Sequence, residues 1–270
     1  MEGRDPFDRP DNSFNTLQGW TWIGCYGGYY LQCDRLHEAG FEHGFFTRRW
    51  QGRGPDELAG YISAGISVHR PQQVHSGVVL DADQASGEPW PEGDGLVSTA
   101  GSQSLWVCGA DCTPVLIADP GTGHAAACHA GWRGVAAGIL PTALNRLLER
   151  GARREDLIIA LGPAVSGQHY QVGEEVVEAI AASIPGDVDL PASGAVLPDE
   201  QPARHRLDIR AAARLQLQQA GVAGDQIAHC PLCTVSEPDL FHSWRRDQVK
   251  AVQWSGIVSQ AVALESDASS

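Results

Sequence analysis

Basic side chains are scarce in this 270-residue chain: 19 Lys and Arg stand against 33 Asp and Glu, a formal net charge of −14 at pH 7. Nucleic-acid binding draws on Lys and Arg that neutralise phosphates, and no local run supplies a basic stripe, so nucleic acid is excluded as the main partner. Long apolar runs are missing too. Uninterrupted stretches such as 158–161 and 125–128 fall far short of the roughly 20 residues a membrane-spanning helix needs, and a membrane role goes with them. The opening Met1-Glu2-Gly3-Arg4-Asp5-Pro6 lacks the basic start, apolar middle and cleavage site of a secretory signal, so a cytoplasmic protein is expected. Seven cysteines, an odd number without such a signal, argue against a disulfide framework and for thiols that are buried, metal-bound or reactive.

Common chemical signatures are absent as well. There is no Gly-x-Gly-x-x-Gly, no phosphate loop, no His-Glu-x-x-His and no Gly-x-Ser-x-Gly elbow. The deaminase signature Pro-Cys-x-x-Cys also fails, because Cys230-Pro231-Leu232-Cys233 carries its proline inside the pair.

What is present is a chain with enough apolar residues, 43%, to bury a sizeable core. The polar ends, 1–13 and 265–270, are expected to fray, leaving a single domain over 14–264. Glycines 24, 27 and 28 inside an aromatic run predict a hairpin over 21–31, and strands are expected at 43–47, 74–80, 95–98, 104–108, 115–118, 124–129, 157–161, 227–230 and 249–258. Helical spacing predicts helices over 55–66, 174–184 and 207–220, and one over 132–150 with Pro141 as a kink. Helices and strands interleave without a strict βαβ repeat, which predicts an α/β fold: a compact sandwich with a mixed β-sheet core flanked by helices.

Three segments place ligand-grade side chains at strand ends or turns: Gln73-Val74-His75-Ser76, Ala110-Asp111-Cys112-Thr113-Pro114 and His129-Ala130-Gly131-Trp132-Arg133-Gly134. Two imidazoles and a thiolate suit zinc, and a three-ligand site leaves a fourth position open for catalysis. Strand parity puts His129 on the face opposite Cys128, so the two do not share a site. Cys25, Cys33, Cys108 and Cys128 read as small core residues, and Cys230 and Cys233, lacking a second pair, as loop and core thiols. Arg48, Arg49, Arg53, Arg133, Arg245 and Arg246 are anion candidates, since a guanidinium holds phosphate through two hydrogen bonds.

The ordered series Gly44-Phe45-Phe46-Thr47-Arg48, Gln73-Val74-His75, Gly93-Asp94-Gly95-Leu96-Val97, Ala110-Asp111-Cys112-Thr113-Pro114-Val115, His129-Ala130-Gly131-Trp132-Arg133-Gly134, Leu161-Gly162-Pro163-Ala164 and Phe241-His242-Ser243-Trp244-Arg245-Arg246-Asp247 closely resembles the YfiH-type laccase-domain family. The resemblance implies a catalytic zinc on His75, Cys112 and His129; copper, which outcompetes zinc for such donors, can substitute for it. It also implies phosphate-dependent cleavage of adenosine, inosine and methylthioadenosine, with adenosine deamination beside it. Purine nucleosides and phosphate are the partners it implies. Arg48 matches the family's Thr-Arg motif and is carried over as an anion-holding or catalytic support residue at the pocket.

The chain departs from the family pattern at Ser166-Gly167-Gln168-His169-Tyr170-Gln171, where many relatives carry a Cys-Cys pair, and at Gln248-Val249-Lys250-Ala251-Val252, where relatives often continue through Thr-Gly-Arg. Asp94 and Asp111 are the candidate general acids. Because the family fold resembles the cytotoxic necrotizing factor deamidase domain, a cysteine hydrolase or amidase with Cys112 as nucleophile and His129 as base is the rival reading. A peptidoglycan-precursor editing factor is another. Multicopper phenol oxidation fits poorly, because ten scattered histidines contain no His-x-His.

Overall fold

Short runs rich in β-branched, aromatic or small apolar residues, each closed by glycine, proline or a polar pair, become strands; apolar residues on helical spacing become helices. The computed structural model describes residues 17–25 and 27–260, so the ends expected to fray, 1–13 and 265–270, lie outside the described residues. The described chain begins with the expected hairpin of β1 (Trp20–Cys25) and β2 (Gly28–Cys33), Gly27 taking φ +113° between them. Then follow α1 (Asp34–Glu38), β3 (His43–Phe46), α2 (Pro55–Ile62) and β4 (Ser67–His69). Next come β5 (Val79–Asp81), β6 (Gly95–Val97), β7 (Gln103–Gly109), β8 (Thr113–Ala118) and β9 (Ala125–Ala130). Helices α3 (Trp132–Ala136) and α4 (Ile139–Leu148) lead to β10 (Ile158–Leu161), β11 (Gln171–Gly173), α5 (Glu174–Ser183), β12 (Val196–Pro198) and β13 (Arg204–Leu207). The series ends with α6 (Ile209–Gln219), β14 (Ile227–His229), α7 (Trp244–Asp247) and β15 (Gln253–Val258).

Two six-stranded mixed sheets carry the fold, in the orders β1-β2-β3-β15-β7-β4 and β14-β10-β8-β9-β6-β5, with a small sheet β11-β13-β12 beside them. The period-two alternation of β8 shows how the layers form. Leu116 and Ala118 join Phe45, Leu105, Val107 and Ile257 of the first sheet in the core between the sheets. Val115 and Ile117 point the other way, against Ile139, Leu140, Ala143, Leu144 and Leu147 of α4 and Ala213 and Leu217 of α6. On the outer face of the first sheet, Tyr30, Phe46 and Trp106 pack on Leu58 and Ala59 of α2. The expected sandwich is therefore helix, sheet, sheet, helices. Among the described residues no helix is long and apolar enough to cross a membrane.

Three expectations need correction. The helix expected over 132–150 is broken in two by Gly138 at φ +75°, and Pro141 causes no break. Pro141 is the third residue of α4, where its missing N–H has no intrahelical partner to lose. The strand expected over 74–80 forms only at Val79–Asp81, because the amides of residues 74–76 bond to a carboxylate and His75 lies at φ +62°, outside the strand region. The strand expected over 249–258 begins only at Gln253, leaving 248–252 irregular.

Close approach of the sheets depends on glycine at one joint. A Cβ built on Gly162, just after β10, meets the Phe45 ring at 2.3 Å and Pro114 at 2.9 Å. Replacing Gly162 with Ala is expected to destabilise the fold by about 1–3 kcal/mol through overpacking. A denaturation midpoint that falls at constant m-value is the expected readout; an unmoved midpoint would show that the joint is slack.

Candidate metal centre and cleft

The register of the second sheet gathers the chemistry at one end. Thr113 at the start of β8 pairs with Ala130 at the end of β9 and Pro114 with His129, so Cys112 and His129 are diagonal neighbours across the two strands. Gly95 of β6 pairs with Cys128, which puts Asp94 against His129; the amide of His129 donates to the Asp94 carbonyl at 2.7 Å. Parity holds as expected: Cys128 turns into the helix-side core with Ala126, while His129 faces the site. His75 arrives on the loop before β5, which runs parallel to β6.

The Nδ or Nε atoms of His75 and His129 and the Cys112 sulfur all lie within 4.8 Å of one another. The two imidazoles meet edge to face at 4.8 Å between centroids. Gly131 makes room for this trio: a Cβ there would sit 2.8 Å from the Cys112 sulfur and 3.4 Å from His75 Cδ2. Two soft-to-borderline nitrogen donors and one thiolate, convergent and with one side open, fit zinc and also suit copper.

Asp94 holds the group together. It is 0% exposed, and its carboxylate accepts the amides of Val74 (3.2 Å), His75 (3.0 Å) and Ser76 (2.6 Å), the Ser76 hydroxyl (2.9 Å) and His129 Nδ1–H (2.9 Å). Burial pushes its pKa up, but the His129 and Ser76 bonds outweigh this and hold it at about 2. With Nδ1 committed, His129 presents Nε2 to the site. Gln73 ties the same loop to β7, its side-chain amide exchanging two bonds, 2.6 and 2.7 Å, with the Cys108 backbone. Asp111, at φ +88°, aims Cys112 and accepts from the Thr234 hydroxyl (2.6 Å) and the Arg245 amide (2.7 Å). Both carboxylates expected as general acids are thus bound in positioning roles.

Electrostatics favour the charged thiolate. Burial raises the Cys112 pKa, but the charge and hydrogen bonds of His129 and His75 bring it down to about 6. Burial lowers that of His129, while Cys112 and Asp94 drive it up to about 9. Elsewhere burial pushes the thiols of Cys108, Cys128 and Cys230 up to about 12. Cys128, Cys230 and Cys233 are buried, as expected, whereas Cys25 and Cys108 are only half-buried.

The trio opens into a cleft of about 860 Å³ also lined by Gln73, Trp132, Tyr170, Ile209, Trp244 and residues 248–252, a volume suited to a small organic substrate. Arg133, Arg245 and Lys250 are its cationic lining. Arg48 is not brought to this group: it lies outside the lining, donates to the Pro238 carbonyl at 2.7 Å, and sits beside His242 and Asp247. Arg53 pairs with Glu57 at 3.2 Å, and Arg246 is spent on Asp247 and the carbonyls of Thr234, Val235 and Phe241. Sequence reasoning passed over Tyr170. Burial, followed by the nearby Cys112 charge, pushes its hydroxyl above the usual range, so it remains a neutral donor. The only signal was its place in the segment where relatives carry cysteines.

Fold and site define an α/β sandwich with a His-Cys-His centre at one end of a sheet. Residues 57–262 match the family described as multi-copper polyphenol oxidoreductase laccase, and the chain belongs to that family. A purine nucleoside phosphorylase of Synechocystis sp. is 40% identical over 258 residues, covering 89% of this chain and 97% of its own. One of Mycobacterium tuberculosis is 39% identical over 175 residues, 65% of either chain. Among solved structures, YlmD from Geobacillus stearothermophilus superposes with a TM-score of 0.78 at 25% identity, over 88% of this chain and 98% of that one. A Neisseria meningitidis protein does so at 0.70 and 27%, over 90% and 100%.

Two outcomes test the centre. With metal stripped, Cys112 is expected to alkylate with a rate that rises through about pH 6, whereas an ordinary thiol reacts only nearer 8.5; a midpoint above 8 by mass-spectrometric kinetics would remove the thiolate. Replacing Asp94 with Asn or Gly131 with Ala is expected to weaken zinc binding about 10–100-fold, measured by competition with a chromophoric chelator. Unchanged affinity in the Asp94 variant would deny its orienting role.

Proposed function

We propose that the protein is a zinc-dependent purine nucleoside phosphorylase acting on adenosine, inosine and methylthioadenosine, with adenosine deamination as a companion activity. The observation that carries this reading is the convergence of His75, Cys112 and His129 within 4.8 Å in the wall of a cleft large enough for a nucleoside. The names of the relatives support the same substrate class. Cytoplasmic location and catalytic roles for His75, Cys112 and His129 belong to the proposal.

In phosphorolysis the bond between the purine nitrogen and the anomeric carbon breaks, its electron pair leaving with the base. An oxygen of hydrogen phosphate forms the new bond to that carbon, and the proton that the phosphate gives up neutralises the departing base. Positive charge grows on the ribose as the bond stretches, so rate comes mostly from placement and charge stabilisation. His75, Cys112 and His129 would hold the zinc, which would supply Lewis acidity there. Asp94 fixes His129 Nε2 and the His75 loop, so the donor set is in place before substrate enters. Trp132 and Trp244 offer aromatic faces along the cleft, and Trp244, 52% exposed, is free to contact a flat base. Tyr170 supplies a neutral hydroxyl.

A second reading has its own observation. Cys112, His129 and Asp94 also form a thiolate–imidazole–carboxylate chain, His129 bonding Asp94 at 2.9 Å and Cys112 depressed to about 6, the arrangement of a cysteine hydrolase or amidase. Peptidoglycan-precursor editing would draw on the same chain. Copper chemistry on phenols would need the trio to take copper instead.

Phosphate-dependent release of base from inosine and adenosine is expected to track zinc occupancy and to fall at least about 100-fold in His75→Ala and Cys112→Ala. Fully zinc-loaded wild type that releases no base would sink the nucleoside reading. Amide hydrolysis that survives chelation and stops on Cys112 alkylation would establish the second one.

A further inference from the structure

An acidic chain has little reason to gather cations in a cleft. Yet among the described residues the charged lining beyond the His-Cys-His group is Arg133, Arg245 and Lys250 against one carboxylate, Asp111, whose two oxygens are already taken by the Thr234 hydroxyl and the Arg245 amide. Lys250 is the single lysine of all 270 residues. Among the described residues no acidic side chain except Asp111 lines the space.

Arg133 and Arg245 are both exposed, but each guanidinium lies over an aromatic ring of the cleft. Arg245 follows Trp244 on α7, and its amide is fixed by Asp111, the residue preceding Cys112. Its Nη2 donates to the Gln171 carbonyl at 3.0 Å, and its charge lies 5.0 Å from the centroid of the Tyr170 ring. Arg133 begins two residues after Gly131, in the first turn of α3, with its charge 4.4 Å from the Trp132 ring. Tyr170 lines the same cleft as Arg133, Arg245 and Cys112, and so lies between the cations and the His-Cys-His group. Stacked guanidinium groups keep N–H donors free at little entropic cost, the form in which arginine recognises tetrahedral oxyanions.

We propose that Arg133 and Arg245, with the Tyr170 hydroxyl as a neutral donor and Lys250 at the rim, form a subsite for inorganic phosphate beside the His-Cys-His centre, and that Arg48 has no part in it. The assignment deepens the nucleoside phosphorylase reading and rests on it for the role of the anion, but the binding of phosphate is tested apart from turnover. Placed here, phosphate shares the cleft with the metal ligands and approaches a nucleoside from the Tyr170 side. The local positive charge offsets the repulsion that a chain of net charge −14 exerts on a dianion.

The experiment has two arms. In the first, wild-type protein is acylated with an amine reagent and followed at Lys250 by mass spectrometry, with and without inorganic phosphate; one lysine makes the readout a single site. Phosphate is expected to slow modification of Lys250, and the Arg245→Gln and Arg133→Gln proteins are expected to lose that protection. In the second, KM for phosphate and for inosine is measured at equal zinc content. Arg245→Gln and Arg133→Gln are expected to raise the phosphate KM about tenfold or more, as loss of a charge-assisted hydrogen bond does, while the inosine KM moves far less. Tyr170→Phe is expected to raise it by a smaller factor.

Absence of phosphate protection at Lys250 overturns the subsite. So does a phosphate KM that rises in Arg48→Gln and stays level in the Arg133 and Arg245 variants. Protection by adenosine 5′-monophosphate alone would reassign the anion to a nucleotide and overturn the inorganic phosphate assignment. Protection without any base release would keep the subsite and sink the phosphorylase reading, so the two failures are distinguishable.

Discussion

The Asp94 carboxylate is the constraint on which the site depends. A fully buried carboxylate is expensive to desolvate unless its lone pairs are filled, and here five donors fill them. Three of the donors are consecutive or near-consecutive amides of one loop and one is the ring of a histidine on a neighbouring strand. The same charge therefore does two jobs: it bends the loop that carries His75 and sets the tautomer of His129. Neither histidine could be moved without unsatisfying Asp94, and the left-handed backbone at His75 persists because three amides converge on one acceptor.

The rest of the site follows from register. Four consecutive strands of the second sheet, β8, β9, β6 and β5, end at the same edge, and the antiparallel pairing of β8 with β9 alone makes Cys112 and His129 neighbours. Asp94 is added by the pairing of β6 with β9. Sequence spacings of 37 and 17 residues between the ligands carry no trace of this, because proximity is created by hydrogen bonding between strands that are distant in sequence.

Much of the fold was legible in the sequence for a local reason. Alternation in β8 and β9, the Gly-rich hairpin of β1 and β2, and the helical spacing of α5 and α6 are properties of a few adjacent residues, and they formed close to the expected bounds. The His-Cys-His group was legible through residue type, turn context and the family motif. What failed required knowledge of a distant partner. Val74 to Val78 has strand composition, but Asp94 captured its amides. Gly138 rather than Pro141 ended α3, because proline near a helix start removes a donor that nothing needs. Arg48 was singled out by motif alone; it donates to the Pro238 carbonyl and lies outside the cleft lining, whereas Tyr170, which does line the cleft, belongs to no motif of its own.

The three ligands differ in how they are held. Cys112 and His129 are attached to paired strands of the second sheet, and His129 is 4% exposed. His75 is exposed and rides on a loop whose fixation runs through Asp94 and Gln73. Opening that loop would uncover an ion held by the trio while leaving the cores packed, so metal exchange would be governed by a local fluctuation rather than by global unfolding. Release of an ion from such a site would need only the loop to move, at no cost to the packing of either sheet.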